Sequence, residues 1–260
     1  MSTSTDRLSL AGSIAVVTGA ARGMGAEHVR VLAARGAQVV AVDLDEEAVA
    51  LLAEQVGPAV VAMKADVSDL DAWEAVRERT TTLDGALKVL VNNAGLVSHR
   101  RIAQTEKSGW DRVLDVNLKG TWLGMKVLAP VMRDAGGGSI INVSSAAGLD
   151  QHPDPAYTAS KWGVRGLTKT ASQEFGPWGV RVNSIHPGYI DTPMNDFASP
   201  ELTSAMLSLV PMGRPGQAWE AAELVAFLAS DAAPFITGAE IAIDGGWTSG
   251  SQATEARRQR

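Results

Sequence analysis

The 260-residue chain contains no cysteine. Disulfides, zinc–thiolate centres and thiol nucleophiles are therefore excluded. It also lacks a surplus of positive charge: the net charge is -6 and no basic stripe is visible, which argues against a nucleic acid partner. No stretch reaches the ~18 uncharged apolar residues that a membrane span requires. Residues 1–10 are polar and have no apolar h-region, so a signal peptide is not expected. A soluble, cytoplasmic protein without a membrane partner is the expectation. Internal repeats and low-complexity linkers are missing too, which favours one domain over 1–260, with a core at about 8–248 and a polar, arginine-ended tail at 249–260. His28, His99 and His186 show no triad or metal spacing, so no metal site is expected.

What is present is apolar and ordered. Hydrophobic residues make up 45% of the chain, enough for a sizeable core. Short strand-type runs occupy 14–18, 38–42, 60–64, 87–91, 139–143 and 180–185, with 241–243 a seventh candidate. Helical patterns lie between them at 26–34, 46–54, 72–80, 110–132, 156–175 and 218–228. Apolar runs unbroken by polar residues suit strands covered on both faces. Strand–helix alternation predicts an α/β fold with a parallel, doubly wound sheet. Gly136-Gly137-Gly138 reads as a turn into a strand.

The first strand runs into Gly19-Ala20-Ala21-Arg22-Gly23-Met24-Gly25 and then a helix. Glycines there allow a tight turn and close approach of a pyrophosphate, and the helix start offers free N–H groups and a positive dipole end. The spacing departs from the common G-x-G-x-x-G form, and an ordinary strand–helix turn is the plainer reading. Asp43 ends the second strand, placed to accept hydrogen bonds from an adenosine ribose and to repel a 2′-phosphate. It could instead start the next helix, since Glu46 and Glu47 follow. The geometry favours NAD; Arg22 keeps NADP open, because a guanidinium could meet a phosphate.

Tyr157 and Lys161 stand four residues apart within a helical pattern, which puts them on one face. A phenol is a poor base near neutral pH, its reference pKa being about 10. An ammonium at ~4 Å would favour the phenolate by on the order of 4 kcal/mol before desolvation. Such a tyrosine can exchange a proton with an alcohol or carbonyl, although the spacing also arises by chance on many helices.

Several motifs then occur in one order: 18–25, Asp66-Val67, Asn92-Asn93-Ala94-Gly95, Asn117, Ser144-Ser145, Tyr157-Thr158-Ala159-Ser160-Lys161 and Pro187-Gly188. Over about 8–248 the chain resembles the short-chain dehydrogenase/reductase family, and some segments look closest to bacterial 3α(20β)-hydroxysteroid dehydrogenases. The resemblance implies a Rossmann-type sheet of seven strands and a nicotinamide cofactor. It makes Tyr157 the proton donor or acceptor, Lys161 the group that lowers its pKa and holds the nicotinamide ribose, and Asn117 the holder of a relay water. For Asn117 the plainer alternative is a helix-interior side chain bonded to a backbone carbonyl. Asp43 with Leu44, Asp66, Val67, Asn93, Ala94 and Gly95 would line the adenosine side. Pro187, Gly188, Ile190, Thr192 and Met194 would close over the nicotinamide and imply pro-S hydride transfer.

In the family the active serine is usually the second of its pair, 13 residues before the tyrosine. Here Ser145 lies 12 before Tyr157 and Ser144 lies 13 before. Strand alternation sets which side chain faces the nucleotide, and a one-residue loop deletion need not change it, so Ser145 is chosen. Residues 191–215 are Met-rich and predict a short helical lid, suited to apolar, irregular ligands. Val97, Pro153, Tyr189 and Met206 are the expected pocket lining. His152 lies in the loop that should touch substrate, or is simply an exposed histidine. The expected reaction links a bulky secondary alcohol (aryl-alkyl, cyclic or steroid) to its ketone, with Tyr157 taking the proton and Ser145 steadying the oxygen. A catalytically silent regulator would be expected to lack Tyr, Lys or Ser at these places, and all are present. The resemblance also implies a homo-oligomer, in the usual case a tetramer.

Overall fold

The computed structural model describes residues 6–196 and 198–250. Most of the expected tail lies outside the described residues. In chain order the elements are β1 (Ser13–Thr18), α1 (Gly23–Ala34), β2 (Gln38–Asp43), α2 (Glu46–Val56), β3 (Val60–Lys64), α3 (Leu70–Thr80), β4 (Ala86–Asn92), α4 (Lys107–Leu114), α5 (Gly120–Asp134), β5 (Gly138–Val143), α6 (Pro155–Phe175), β6 (Val180–Pro187), β7 (Ile190–Asp191), α7 (Pro200–Ser208), β8 (Gly216–Gln217), α8 (Ala218–Ala229) and β9 (Glu240–Ile243). Seven strands form one sheet in the order β3-β2-β1-β4-β5-β6-β9. Each neighbouring pair in it is parallel. This is the doubly wound, Rossmann-type α/β architecture that the alternating pattern predicts.

Successive residues of each strand point to opposite faces, so each strand feeds two cores. Ala15 and Val17 of β1 join Val29 and Leu32 of α1 and Val225 and Leu228 of α8. Ile14 and Val16 join Trp73 and Val76 of α3 and Leu128 and Met132 of α5 on the other face. Burial on both faces is why the strands read as unbroken apolar runs. Gly136 and Gly137 carry φ of 81° and 107°, the left-handed backbone that makes the turn into β5.

Two features differ from the expectation. The 110–132 helix is interrupted: between α4 and α5 lies a π turn, Asp115–Lys119, closed by Gly120 N–H donating to the Asp115 carbonyl. A two-stranded ribbon of β7 and β8 pairs Ile190 with Gly216 at the two ends of the 191–215 segment. That segment contains α7, capped by Ser199, whose hydroxyl accepts from Leu202 N. The helix is shorter than the segment.

His28 of α1 is fully buried, and neither ring nitrogen has a hydrogen-bond partner among the described residues. Burial drives its pKa from 6.5 to about 3. The unfolded chain therefore takes up this proton first, and stability is lost as pH falls from about 6.5 toward 3. The loss is on the order of 4–5 kcal/mol at the acid end. Urea unfolding from pH 7 to 4 should show this slope, and His28→Leu should flatten it. An unchanged slope in the variant would sink the assignment.

Candidate active site

The carboxyl ends of β1, β2 and β4 open onto a groove of about 680 Å³. Its lining includes Gly19, Arg22, Gly23, Met24, Gly25, Asp43, Leu44, Asp66, Val67, Asn93, Ala94, Gly95, Val97, Thr192 and Met194. The structure thus gathers on one surface every residue expected on the adenosine and pyrophosphate side. One wall was not foreseen: Ser108, Asp111, Arg112, Asp115 and Val116 also line the groove. Their spacing is that of a helix face, so periodicity within 108–116 is the signal that marks them.

The groove fits an extended anionic nucleotide. A Cβ on Gly25 would fall against the Gly19 carbonyl and come within 2.7 Å of Asn93 Nδ2, so the floor admits glycine alone. Gly19 and Gly23 have φ of 63° and 56°. Arg22 precedes α1 without capping it through its side chain, so among the described residues no side chain caps the helix start at that position. Thr18 and Asn93 brace the loop from beneath. Thr18 Oγ1 accepts from Asn93 N at 3.0 Å and Ala94 N at 3.1 Å, and Asn93 Nδ2 donates to Thr18 O at 2.9 Å and Gly19 O at 3.1 Å. The Asp43 carboxylate accepts from Ala21 N at 2.9 Å and Asp45 N at 3.0 Å. Arg22 is drawn to Asp45 at 3.1 Å. Asp66 accepts from Ser68 N at 2.8 Å and Ser68 Oγ at 2.7 Å, and these bonds hold its pKa below the usual range.

Beyond the groove, β5 delivers the two serines to different tasks. Ser144 is buried and donates its hydroxyl to Lys161 O at 2.9 Å, which ties strand to helix. Ser145 is partly exposed, accepts from Ala147 N at 3.1 Å and stands beside the Tyr157 phenol, whose pKa it pulls down. His186 Nδ1 lies 3.0 Å from Ser145 O, and its Nε2 lies 2.9 Å from Ser184 Oγ. Tyr157 and Lys161 share a face of α6, with Nζ 5.6 Å from the ring centroid. Lys161 is 3% exposed and donates to Val143 O at 2.8 Å.

The expected electrostatics require correction. Lys161 does not hold the Tyr157 phenol down in this structure. Burial pushes the phenol above its ordinary value, Ser145 pulls it back in part, and the Asp154 charge adds to the rise. Burial also lowers Lys161 to about 8. The reason is geometric: the ammonium is turned to the Val143 carbonyl and sits over the ring, while both groups are withdrawn from water.

Residues 19–248 match a family model described as enoyl-(acyl carrier protein) reductase. The chain is 45% identical over 243 residues to a 3-alpha-(or 20-beta)-hydroxysteroid dehydrogenase of Mycobacterium tuberculosis, covering 93% of this chain and 91% of that one. It is 42% identical over 264 residues to trans-4-hydroxycyclohexanecarboxylate dehydrogenase of Sinomonas cyclohexanicum, covering 96% and 98%. A crystal structure of a short-chain type dehydrogenase/reductase from Mycobacterium marinum superposes with a TM-score of 0.89 at 32% identity, covering 94% of this chain and 99% of that one. The chain belongs to the short-chain dehydrogenase/reductase family.

As a short-chain dehydrogenase/reductase it is an oxidoreductase of the alcohol-dehydrogenase kind. In this member Asn117 stands in the π turn, 1% exposed. Its Nδ2 donates to Leu96 O at 2.9 Å and Ser160 Oγ at 3.0 Å, while Oδ1 accepts from Leu96 N at 2.7 Å. What its side chain visibly does is pin Leu96 between β4 and α4. Ile190 O accepts from Asn195 Nδ2 at 2.6 Å and from the Thr192 hydroxyl at 3.4 Å. Pro187 ends β6 opposite Ile243 of β9, neither Pro187 nor Gly188 is among the residues that line the groove, and a Cβ on Gly188 would come 2.8 Å from Asp244.

Of the expected substrate lining, Val97 reaches the groove, and Pro153, Tyr189 and Met206 are not among the residues that line it. Pro153 is exposed. The Tyr189 hydroxyl lies 3.4 Å from Thr203 Oγ1 and so faces α7. His152 packs its ring 5.3 Å from that of Tyr157. Among the described residues no helix is long and apolar enough to cross a membrane. None of them form a group of three or more His, Asp or Glu that could hold a metal.

Proposed function

We propose that this protein oxidises a bulky, apolar secondary alcohol to its ketone, and catalyses the reverse, with NAD(H) as the redox partner. The carrying observation is the Ser145–Tyr157–Lys161 cluster standing beside a glycine-floored nucleotide groove. When bound, the nicotinamide accepts or supplies the hydride. In oxidation Tyr157, as phenolate, removes the alcohol proton, and Ser145 donates to the same substrate oxygen. Lys161 would hold the nicotinamide ribose, and Asn117 with Lys161 is the route by which the proton leaves. NAD rather than NADP is supported by Asp43 on the rim and by Asp45, which occupies the Arg22 guanidinium that a 2′-phosphate would need. Curated relatives include a cyclohexanol dehydrogenase of an Acinetobacter strain, 39% identical, besides the steroid and hydroxycyclohexanecarboxylate enzymes; cyclic alcohols therefore head the candidates. A homotetramer is the proposed assembly.

The test is NADH against NADPH formation over a panel of steroids, cyclic alcohols and aryl-alkyl carbinols. NADH formed with one class supports the reading and names the substrate class. NADH binding with no turnover of any alcohol or ketone would favour a silent regulator. Asp43→Ser should weaken NAD binding about tenfold and narrow the gap to NADP, since ribose hydrogen bonds and 2′-phosphate repulsion leave together. A ratio of the two affinities unchanged in the variant would refute the role of Asp43.

The pH dependence follows from the raised phenol. Oxidation needs the phenolate, so kcat/KM for the alcohol should climb from pH 7 toward 9, while ketone reduction, which uses the protonated phenol, should stay level over the same range. Oxidation also releases a proton, so the alcohol/ketone ratio at equilibrium and fixed NAD⁺/NADH should drop with rising pH. A flat pair of profiles counts against Tyr157 as the proton carrier.

A further inference from the structure

We propose that Asp154 is a positioning residue whose carboxylate clasps the 97–99 loop to the first turn of α6, and so sets where substrate meets Tyr157. The inference rests on the reading of Tyr157 given above.

Asp154 is 1% exposed, a rare condition for a carboxylate. Its Oδ1 caps α6 by accepting from Tyr157 N at 3.0 Å. Capping alone asks for one such bond, and serine or asparagine would supply it as well. The second oxygen does something capping does not require. Oδ2 accepts from Ser98 N at 2.6 Å, Ser98 Oγ at 2.6 Å and His99 N at 2.9 Å, on a loop more than fifty residues earlier in the chain. Burial by itself would raise this carboxyl, and the donors from Ser98, Tyr157 and His99 more than reverse it, so Asp154 stays ionised.

The loop it holds is strained and lies at the site. His99 has φ of 55°, uncommon for any side chain bearing a Cβ. The Asn117 amide pins Leu96 at the other end of the same loop. Between the two anchors stands Val97, which lines the groove. Asp154 N also donates to His152 Nδ1 at 3.2 Å, which holds the His152 ring against Tyr157. One residue thus fixes the helix turn that carries the phenol, the ring beside it and the loop that carries Val97 into the groove.

The titratable and charged groups around Tyr157 are His152 and Asp154 from the segment before α6 and Lys161 within α6. Ser145 approaches from the turn after β5, and His99 lies near enough to act on His152. Of these, Asp154 carries the negative charge that raises the phenol, so removing it should let the phenolate form at lower pH.

Two variants separate the clasp from the cap. Asp154→Ser keeps a capping oxygen and is too short to reach the loop. Asp154→Asn keeps the cap and removes the charge. In both, hydrogen exchange at the Ser98 and His99 amides should speed up about tenfold or more. KM for the alcohol should rise about tenfold while NADH affinity stays within about twofold, and the acidic limb of kcat/KM should move to lower pH. Faster loop exchange with unchanged KM and pH profile would leave a structural clasp only and overturn the proposal, as would unchanged exchange. If the wild-type protein turns over no alcohol, the proposed function fails on its own. The clasp is then judged by exchange together with tyrosinate titration in a Tyr189→Phe background, where Tyr157 is the remaining one of the two tyrosines. A midpoint moved to lower pH by Asp154→Asn sustains it, and an unmoved midpoint overturns it.

Discussion

Tyr157→Phe should lower kcat for alcohol oxidation by about a thousandfold or more and leave NADH affinity within about twofold. General acid–base catalysis by a placed side chain contributes on the order of 10²–10⁴ in rate. Here the phenol is the group that meets the Ser145 hydroxyl, so its removal deletes the proton carrier and half of the oxygen-binding pair. The fold should survive. Phenylalanine keeps the ring that packs 5.3 Å from His152, and Ser145 Oγ keeps its bond from Ala147 N at 3.1 Å. The groove that lines the nucleotide side does not include Tyr157, which is why cofactor affinity should hold. Steady-state kinetics and a fluorescence titration with NADH check both halves. Retention of more than about a tenth of wild-type kcat would remove Tyr157 from the mechanism.

Gly25→Ala should abolish useful cofactor binding, raising Kd for NADH at least about a hundredfold, which corresponds to roughly 2.7 kcal/mol. The new methyl would collide with the Gly19 carbonyl, whose carbon stands 2.7 Å away, and with Asn93 Nδ2 at 2.7 Å. Neither neighbour can retreat cheaply. Gly19 is backbone, and Asn93 already donates to Thr18 O and Gly19 O. The loop must therefore open, and Tm should fall with it. Gly109→Ala is the control: it lies within α4 with nothing within 4 Å of the added carbon. There alanine should be neutral or stabilising by up to about 1 kcal/mol, because glycine is the poorer helix former. Equal NADH affinity for the two variants would show that the glycine floor is not where the nucleotide sits.

Elements whose causes are local follow from the amino-acid order alone. Apolar runs doubly buried in a sheet, a glycine loop between β1 and α1, and a tyrosine and lysine one helical turn apart are short-range patterns, and each stands where its pattern placed it. Beyond the end of β5 the two serines part: Ser144 is buried and bonded to Lys161 O, and Ser145 stands beside Tyr157. Features that depend on distant neighbours become visible once the chain is folded. The Tyr157 pKa moves opposite to the direction expected from its lysine neighbour, because desolvation by surrounding elements outweighs a pair attraction reckoned from helix spacing alone. The π turn at Asn117 is set by Leu96 and Ser160, which lie 21 and 43 residues away. Nothing local marks Asp154; only the fold brings it to Ser98 and His99, where a buried charge with four donors becomes a clasp.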